Sequence, residues 1–196
     1  MEPSTILAPF NATICGIEEL GCHCASGVSH ILSILDPDWP VPEAFGGFGE
    51  HERLELRFHD VIEDAPGSVV PGPEHVQKLL SFGRSLVGPD AHMLVHCHAG
   101  VSRSSAAMAL LLAQALPSIP ADQIFREVLR IRSKAWPNLR IVEIGDAMLG
   151  RRGELIEAAY SLYRWHIERR PELADIMAQS GRGREVNAAL VRAPLV

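Results

Sequence analysis

The nine residues His96-Cys97-His98-Ala99-Gly100-Val101-Ser102-Arg103-Ser104 bring a thiol, a guanidinium and two hydroxyls into one short span. A cysteine, five residues and an arginine, set at a strand-to-helix turn, form a device for holding a phosphate against a thiolate. Met93-Leu94-Val95 ahead of the span reads as a buried strand, and Ala106 to Leu116 behind it as a buried helix. The turn between them would aim successive backbone N–H groups into one concavity at the positive end of a helix dipole. A field of that sign favours a thiolate at Cys97. Arg103 returns to the rim of the loop, where a planar guanidinium can take two phosphate oxygens at once.

With His96, Cys97, Gly100, Arg103 and Ser104 in place between an apolar strand and an Ala-rich helix, the segment resembles the signature loop of cysteine-dependent phosphatases. The likeness is to the compact dual-specificity branch of the protein tyrosine phosphatase superfamily, and it extends more loosely over about residues 1 to 150. The resemblance implies that Cys97 attacks phosphorus and forms a cysteinyl-phosphate, splitting one displacement into two. It implies that Arg103 and the loop amides of His98, Ala99, Gly100, Val101, Ser102 and Arg103 bind the equatorial oxygens. Ser104 would donate a hydrogen bond to the sulfur as it leaves. His96 would order the loop by hydrogen bonding and would not act as a base. Gly100 would supply a backbone angle that a side chain obstructs. No cofactor and no metal is called for, since the loop amides and Arg103 supply the positive charge.

Such a mechanism needs a carboxylic acid to protonate the leaving oxygen and later to deprotonate water. In the family this is an aspartate on a mobile loop some thirty-odd residues before the cysteine, and His59-Asp60-Val61-Ile62-Glu63-Asp64 offers two candidates. Spacing alone slightly favours Asp64. Local pattern favours Asp60: Leu54, Leu56 and Phe58 alternate with polar residues as in a half-buried strand, and Asp60 stands where that strand runs out. Asp64 falls deeper into a loop ending in Ala65-Pro66-Gly67, where an aspartate often serves the turn alone. Asp60 is therefore the assigned acid and Asp64 the alternative.

The elements that must position these groups follow from periodicity. Thr5-Ile6-Leu7 and Val28 to Leu35 read as buried strands with a short helix near Ile17 to Ala25 between them, and the Pro- and Gly-rich Asp36 to Glu50 as an irregular loop. Glu74 to Leu86 is a one-faced helix. Ala121 to Ala135, Asn138 to Leu149 and Gly153 to Arg169 are further helices, with Pro120 suited to a first turn. Strands interleaved with helices predict an α/β fold, its mostly parallel central sheet flanked on both faces, with the site at the carboxyl end of the strand leading to Cys97. The catalytic domain is expected to span residues 1–170, and residues 171–196 to form a helical or flexible extension. Arg151, Arg152, Arg169, Arg170, Arg182 and Arg184 make this end basic, which reads first as a solvated helical end and second as a partner surface.

The chain has 196 residues, 47% of them apolar, enough for one domain with a proper core. A net charge of −6 argues against a nucleic-acid partner. The longest continuous apolar run, Ala106 to Ala113, is eight residues, too short for a membrane. Met1-Glu2-Pro3-Ser4 opens no secretory signal, and four cysteines, one of which must stay reduced, fit a reducing cytoplasm. Cys22-His23-Cys24 has no second donor pair that would complete a tetrahedral metal site. The substrate expected is a phosphorylated protein or peptide, because phosphoinositide-directed relatives often carry loop lysines that His98 to Ser102 lack. The other readings are an inositol phosphate or phosphoinositide phosphatase, a phosphopeptide-binding module without catalysis, and a sulfurtransferase or arsenate reductase using the same thiolate device. Oligomeric state is left open.

Overall fold

The apolar runs of this chain are short and separated by glycine and proline, a pattern that produces strands buried on both faces and joined by crossovers. The structure, a computed structural model, describes residues 8–88 and 90–191. Four strands form one sheet: β1 (Asn11–Gly16), β2 (His30–Leu35), β3 (Glu52–Arg57) and β4 (His92–Cys97). Their order is β1-β4-β2-β3 and every pair is parallel. The helices are α1 (Pro73–Gly83), α2 (Arg103–Ala115), α3 (Ala121–Ile131), α4 (Leu139–Leu149), α5 (Glu154–Arg169), α6 (Glu172–Met177) and α7 (Gly183–Val191). The α/β class with a parallel central sheet is as expected from the sequence.

The cover of the sheet is unequal. The main core joins Leu32 and Ile34 of β2 and Met93, Val95 and Cys97 of β4 to residues of α1, α2, α3, α4, α5 and α7. The opposite face carries a smaller core of Cys15, Leu20, Val28, Ile31, Phe45 and Leu94, closed by two short 3-10 turns at Ile17–His23 and Glu43–Gly47. Helix α2 is buried from Arg103 to Ala113, which explains its nearly continuous apolar sequence. It is the central helix on which α1, α3 and α4 rest. The α2–α4 contact requires a residue without a side chain: a Cβ on Gly145 would come within 2.2 Å of Leu110 Cδ2.

Several boundaries differ from the sequence reading. The strand expected at Thr5-Ile6-Leu7 lies outside the described residues, and β1 at Asn11–Gly16 was not foreseen, because Asn, Ala and Gly are weak strand formers. The turn after β1 is 3-10 over Ile17–His23, shorter than the helix expected to Ala25. Helix α3 stops at Ile131, so Ala135 and Trp136 are buried in irregular chain. The segment after Arg169 continues as α6, a break at Ser180 and Gly181, and α7. Arg182, expected on a solvated end, is 5% exposed, and Arg151 is 8% exposed. Arg184 is paired with Glu63 and Glu143. Among the described residues no helix is long and apolar enough to cross a membrane.

Because Leu110 is fully buried and a Cβ on Gly145 would overlap three of its atoms, Gly145→Ala should lower unfolding free energy by about 1–3 kcal/mol through overpacking, although alanine is the better helix former. Chemical denaturation reads this directly. Unchanged stability would mean that α4 can shift off α2 at little cost.

Candidate active site

Strand β4 ends at Cys97 and helix α2 begins at Arg103, so residues 98–102 make a tight loop at the carboxyl edge of the sheet. The carbonyls of that loop are all taken from outside. His98 O accepts from Ile17 N at 3.0 Å, and Ala99 O and Gly100 O accept from Arg132 Nη2 and Nε at 3.0 and 2.9 Å. Val101 O accepts from Trp136 N at 2.9 Å, and Ser102 O from Asn138 N at 3.2 Å and Ala106 N at 3.1 Å. In a planar trans peptide the carbonyl and the following N–H point in opposite directions. Five carbonyls bonded on the far side therefore leave the N–H groups of Ala99 through Arg103 on the inner side of the loop. Gly100 makes the curl possible: its φ is +66°, and a Cβ there would come within 2.4 Å of the Cys15 backbone.

The groups around that loop divide into reactive and supporting ones. Cys97 is 2% exposed, at the floor of a cavity of ≈ 340 Å³ shared with Asp60, His98, Ala99, Val101, Ser102, Arg103, Met177, Ser180 and Arg182. Ser104 Oγ lies 3.2 Å from the Cys97 sulfur. Arg103 spends one nitrogen on its own support, Nη1 donating to Asp36 Oδ1 at 2.6 Å and to Phe58 O at 2.5 Å. Its buried Nε has no partner among the described residues. A buried donor left unpaired is costly.

Asp60 follows β3 after Phe58 and His59. Its Oδ1 accepts from Ser102 Oγ at 2.8 Å, Asn138 Nδ2 at 2.9 Å and Arg182 Nη2 at 2.5 Å. Burial pushes its carboxyl up, but Arg182, Arg103, Asn138 and Ser102 together outweigh burial and hold it below the usual aspartate value. Asp64 is turned away from the cavity and pairs with Arg140 at 2.9 Å, its side chain 83% exposed.

His96 is fully buried, its Nε2 2.8 Å from Ser33 Oγ on β2. Burial pushes it down to about 4, so it is neutral at ordinary pH and unsuited to act as a base there. His98 accepts from Asp36 N at Nε2, 3.3 Å, and meets Trp39 edge-on at 4.3 Å between ring centres. Burial lowers His98 too, and the neutral ring agrees with that acceptor role better than with the 3.6 Å ion pair to Asp36 Oδ1. Cys15 lies in the core on the other face of the sheet from Cys97, and burial pushes its thiol up to about 12. Cys22 and Cys24 are free, and no group of three or more His, Cys, Asp or Glu among the described residues is arranged to hold a metal ion.

Sequence reasoning missed four supporting residues. Asp36 looked like the first residue of a loop and instead anchors Arg103. Arg132, tied to Glu19 by two bonds at 3.1 and 2.7 Å, braces the back of the phosphate loop. Asn138 caps α4 through Ile141 N while its amide holds Asp60. Arg182 enters from the C-terminal segment. Only Asn138 had a legible local signal, a helix-cap residue after proline.

No protein-family model matches the sequence, and no curated protein matches it. Solved structures do resemble it. Human DUSP28 superposes with a TM-score of 0.55 at 16% identity, over 74% of this chain and 97% of that one. Cydia pomonella PTP-2 phosphatase superposes at 0.53 and 22% identity, over 70% and 84%. PTPMT1 in complex with PI(5)P superposes at 0.51 and 16%, over 74% and 93%. The chain has the fold of the dual-specificity and protein tyrosine phosphatases.

Releasing two loop carbonyls should cost oxyanion affinity, so Arg132→Gln should weaken binding of inorganic phosphate about tenfold or more, measured by titration calorimetry. Unchanged affinity would show that the loop holds its curl without this brace. The depressed His96 carries a pH signature. The unfolded chain takes up this proton near pH 6.5, whereas the folded chain waits until about 4. Stability must therefore fall as pH drops through that window and level off below it. For His96 alone the loss is on the order of 3 kcal/mol, with His75, His92, His98 and His166 adding in the same direction. Denaturation of the parent and His96→Gln between pH 4 and 7 should show a shallower slope in the variant, and parallel slopes would refute the assignment.

Proposed function

We propose that this protein is a phosphomonoester hydrolase of the protein tyrosine phosphatase type, acting on phosphorylated proteins or peptides through a cysteinyl-phosphate. The observation that carries this reading is one cavity lined by Cys97, Arg103 with its unpartnered Nε, and Asp60, under a loop whose five carbonyls are all bonded on its far side. An oxyanion hole of that form is complementary to a phosphoryl group in flight. The fold shared with DUSP28 and PTP-2 phosphatase supports the same class.

In the first step the Cys97 thiolate attacks phosphorus, the S–P bond forms and the bond to the leaving oxygen breaks. Arg103 and the loop amides take the charge on the equatorial oxygens, and the proton on Asp60 passes to the leaving oxygen. In the second step Asp60 removes a proton from water, the water oxygen bonds to phosphorus, and the sulfur departs as a thiolate toward the Ser104 hydroxyl. Asp60 is held ionised by its surroundings, yet it must be protonated to act. A bound phosphate dianion reverses the balance, because it neutralises Arg103 and sets its own negative charge beside the carboxyl. The open cavity and the absence of lysine from His98 to Ser102 favour a phosphoprotein over a multiply phosphorylated inositol.

Release of phosphate from aryl phosphates, followed across pH with reductant and chelator present, tests the reading. Activity should be bell-shaped in pH and vanish in Cys97→Ser. Asp60→Asn should lower kcat about 10²–10⁴-fold for poor leaving groups, and far less for good ones, while Asp64→Asn leaves both nearly unchanged. A protein inert at every pH that still binds phosphopeptides would be a binding module. Faster release from phosphoinositides than from phosphopeptides would move the substrate class.

A further inference from the structure

Arg182 lies far along the chain from the phosphate loop and, by sequence, among the residues of a basic tail. In the structure its guanidinium is nearly sealed from solvent, with the side chain 6% exposed. Nη2 donates to Asp60 Oδ1, to the Asp60 backbone carbonyl at 3.1 Å and to Ser102 Oγ at 2.9 Å, while Nη1 reaches Glu185 Oε1 at 3.3 Å. The route that brings it there is a break between α6 and α7, where Ser180 has φ −85° and ψ 17° and Gly181 has φ +78°. The left-handed glycine redirects the chain, so that Met177, Ser180 and Arg182 form one wall of the Cys97 cavity.

Arg182 is itself held. Glu185, fully buried on α7, accepts from Arg182 Nη1, from Leu139 N at 2.9 Å and from Trp136 Nε1 at 2.7 Å. Trp136 N in turn holds Val101 O of the phosphate loop. The C-terminal segment is thus bonded both to the carboxyl of Asp60 and to the back of the loop that carries Cys97.

The three side-chain donors around Asp60 share a consequence for chemistry. Ser102, Asn138 and Arg182 all converge on Oδ1, and no hydrogen bond among the described residues reaches Oδ2. A carboxyl anchored by one oxygen presents the other. On the reading of Asp60 as general acid, we propose that Arg182 is a positioning residue: by saturating Oδ1 it directs Oδ2 at the leaving oxygen, which makes the C-terminal segment part of the catalytic apparatus.

Arg182 also sets the charge that Asp60 feels. The charged and titratable groups facing Asp60 are Arg182 from the C-terminal segment, Arg103 and His98 from the loop region, and Glu185 from α7. Arg182 is the largest of the influences that lower the Asp60 carboxyl. Removing it leaves only Arg103, Asn138 and Ser102 to oppose burial, so Asp60 would keep its proton to higher pH.

The test compares the parent with Arg182→Met, Arg182→Lys, Asp60→Asn and the Asp60→Asn/Arg182→Met double variant, on aryl and alkyl phosphates of graded leaving-group pKa across pH. Thermal unfolding of each variant is recorded alongside. Arg182→Met should lose about tenfold or more in kcat on poor leaving groups and little on the best one. Its optimum for kcat/KM should move to higher pH. Arg182→Lys should keep the optimum near that of the parent, because the charge remains, yet lose rate on poor leaving groups, because one ammonium cannot span the same acceptors. In the Asp60→Asn background, Arg182→Met should cost nothing further. An equal loss on every leaving group, or a loss that persists in the Asp60→Asn background, would reduce Arg182 to a structural tie and overturn the proposal. Asp60→Asn without leaving-group dependence would instead overturn the reading of Asp60 itself. If Arg182→Met fails to fold, the leaving-group profile of Arg182→Lys decides: a parent-like profile overturns the proposal.

Discussion

A loop that turns its N–H groups inward turns its carbonyls away, and here each of those carbonyls has a donor. Most of the architecture of this protein can be derived from that constraint. The donors come from the end of β1 through Ile17, the end of α3 through Arg132, the irregular chain after it through Trp136 and Asn138, and the first turn of α2 through Ser105 and Ala106. Helix α3 must stop at Ile131 for Arg132 to turn its side chain onto Ala99 and Gly100. Glu19 must then lie opposite, since a guanidinium brought to the back of the loop is held only if paired. Gly16 and Gly100 allow the two backbones to touch.

The charge around the cavity obeys a similar logic. Arg103 is buried before any anion arrives, and an uncompensated buried cation would be costly. Asp36 and the Phe58 carbonyl meet that need at Nη1 alone. Full pairing would compete with a phosphate for the whole guanidinium. Pairing at one nitrogen fixes the plane of the group and leaves Nε without a protein partner among the described residues. Asp36, about one-third exposed, keeps part of its hydration while it pairs with Arg103.

The sequence made the candidate phosphate loop legible because its parts are contiguous. Cys97, Gly100, Arg103 and Ser104 lie within one turn, and a strand and a helix of opposite periodicity bracket them. The parallel sheet was legible for a related reason, since β2 and β4 are largely apolar and bracketed by turn residues. That Asp60 and not Asp64 lines the cavity could be read only by asking where the β3 alternation ends. What stayed hidden was contact between distant segments. Asp36, Glu19 and Arg132 are unremarkable charged residues in loops, and nothing local distinguishes them from solvated ones. β1 escaped notice because Asn11 to Gly16 is stabilised by pairing along β4 and has little intrinsic preference for a strand. The C-terminal arginines read as solvated because charge clusters at chain ends usually are, and burial by a partner far upstream leaves no trace in the local pattern.

That burial needs a physical reason beyond stability. A buried ion pair pays heavy desolvation on both sides, and well-packed apolar groups of similar volume often hold a fold as well or better. Arg182, Asp60 and Glu185 together are therefore a poor way merely to attach α7, which already sets Val186 and Ala189 into the main core against α5. What an ionic cluster provides and an apolar one cannot is direction. A planar guanidinium fixed by Glu185 offers donors at set angles, and a carboxylate that meets them must orient one oxygen to the cluster and the other to the cavity. The apolar contacts of α7 fix where the segment lies, and the ionic contacts fix how Asp60 faces Cys97.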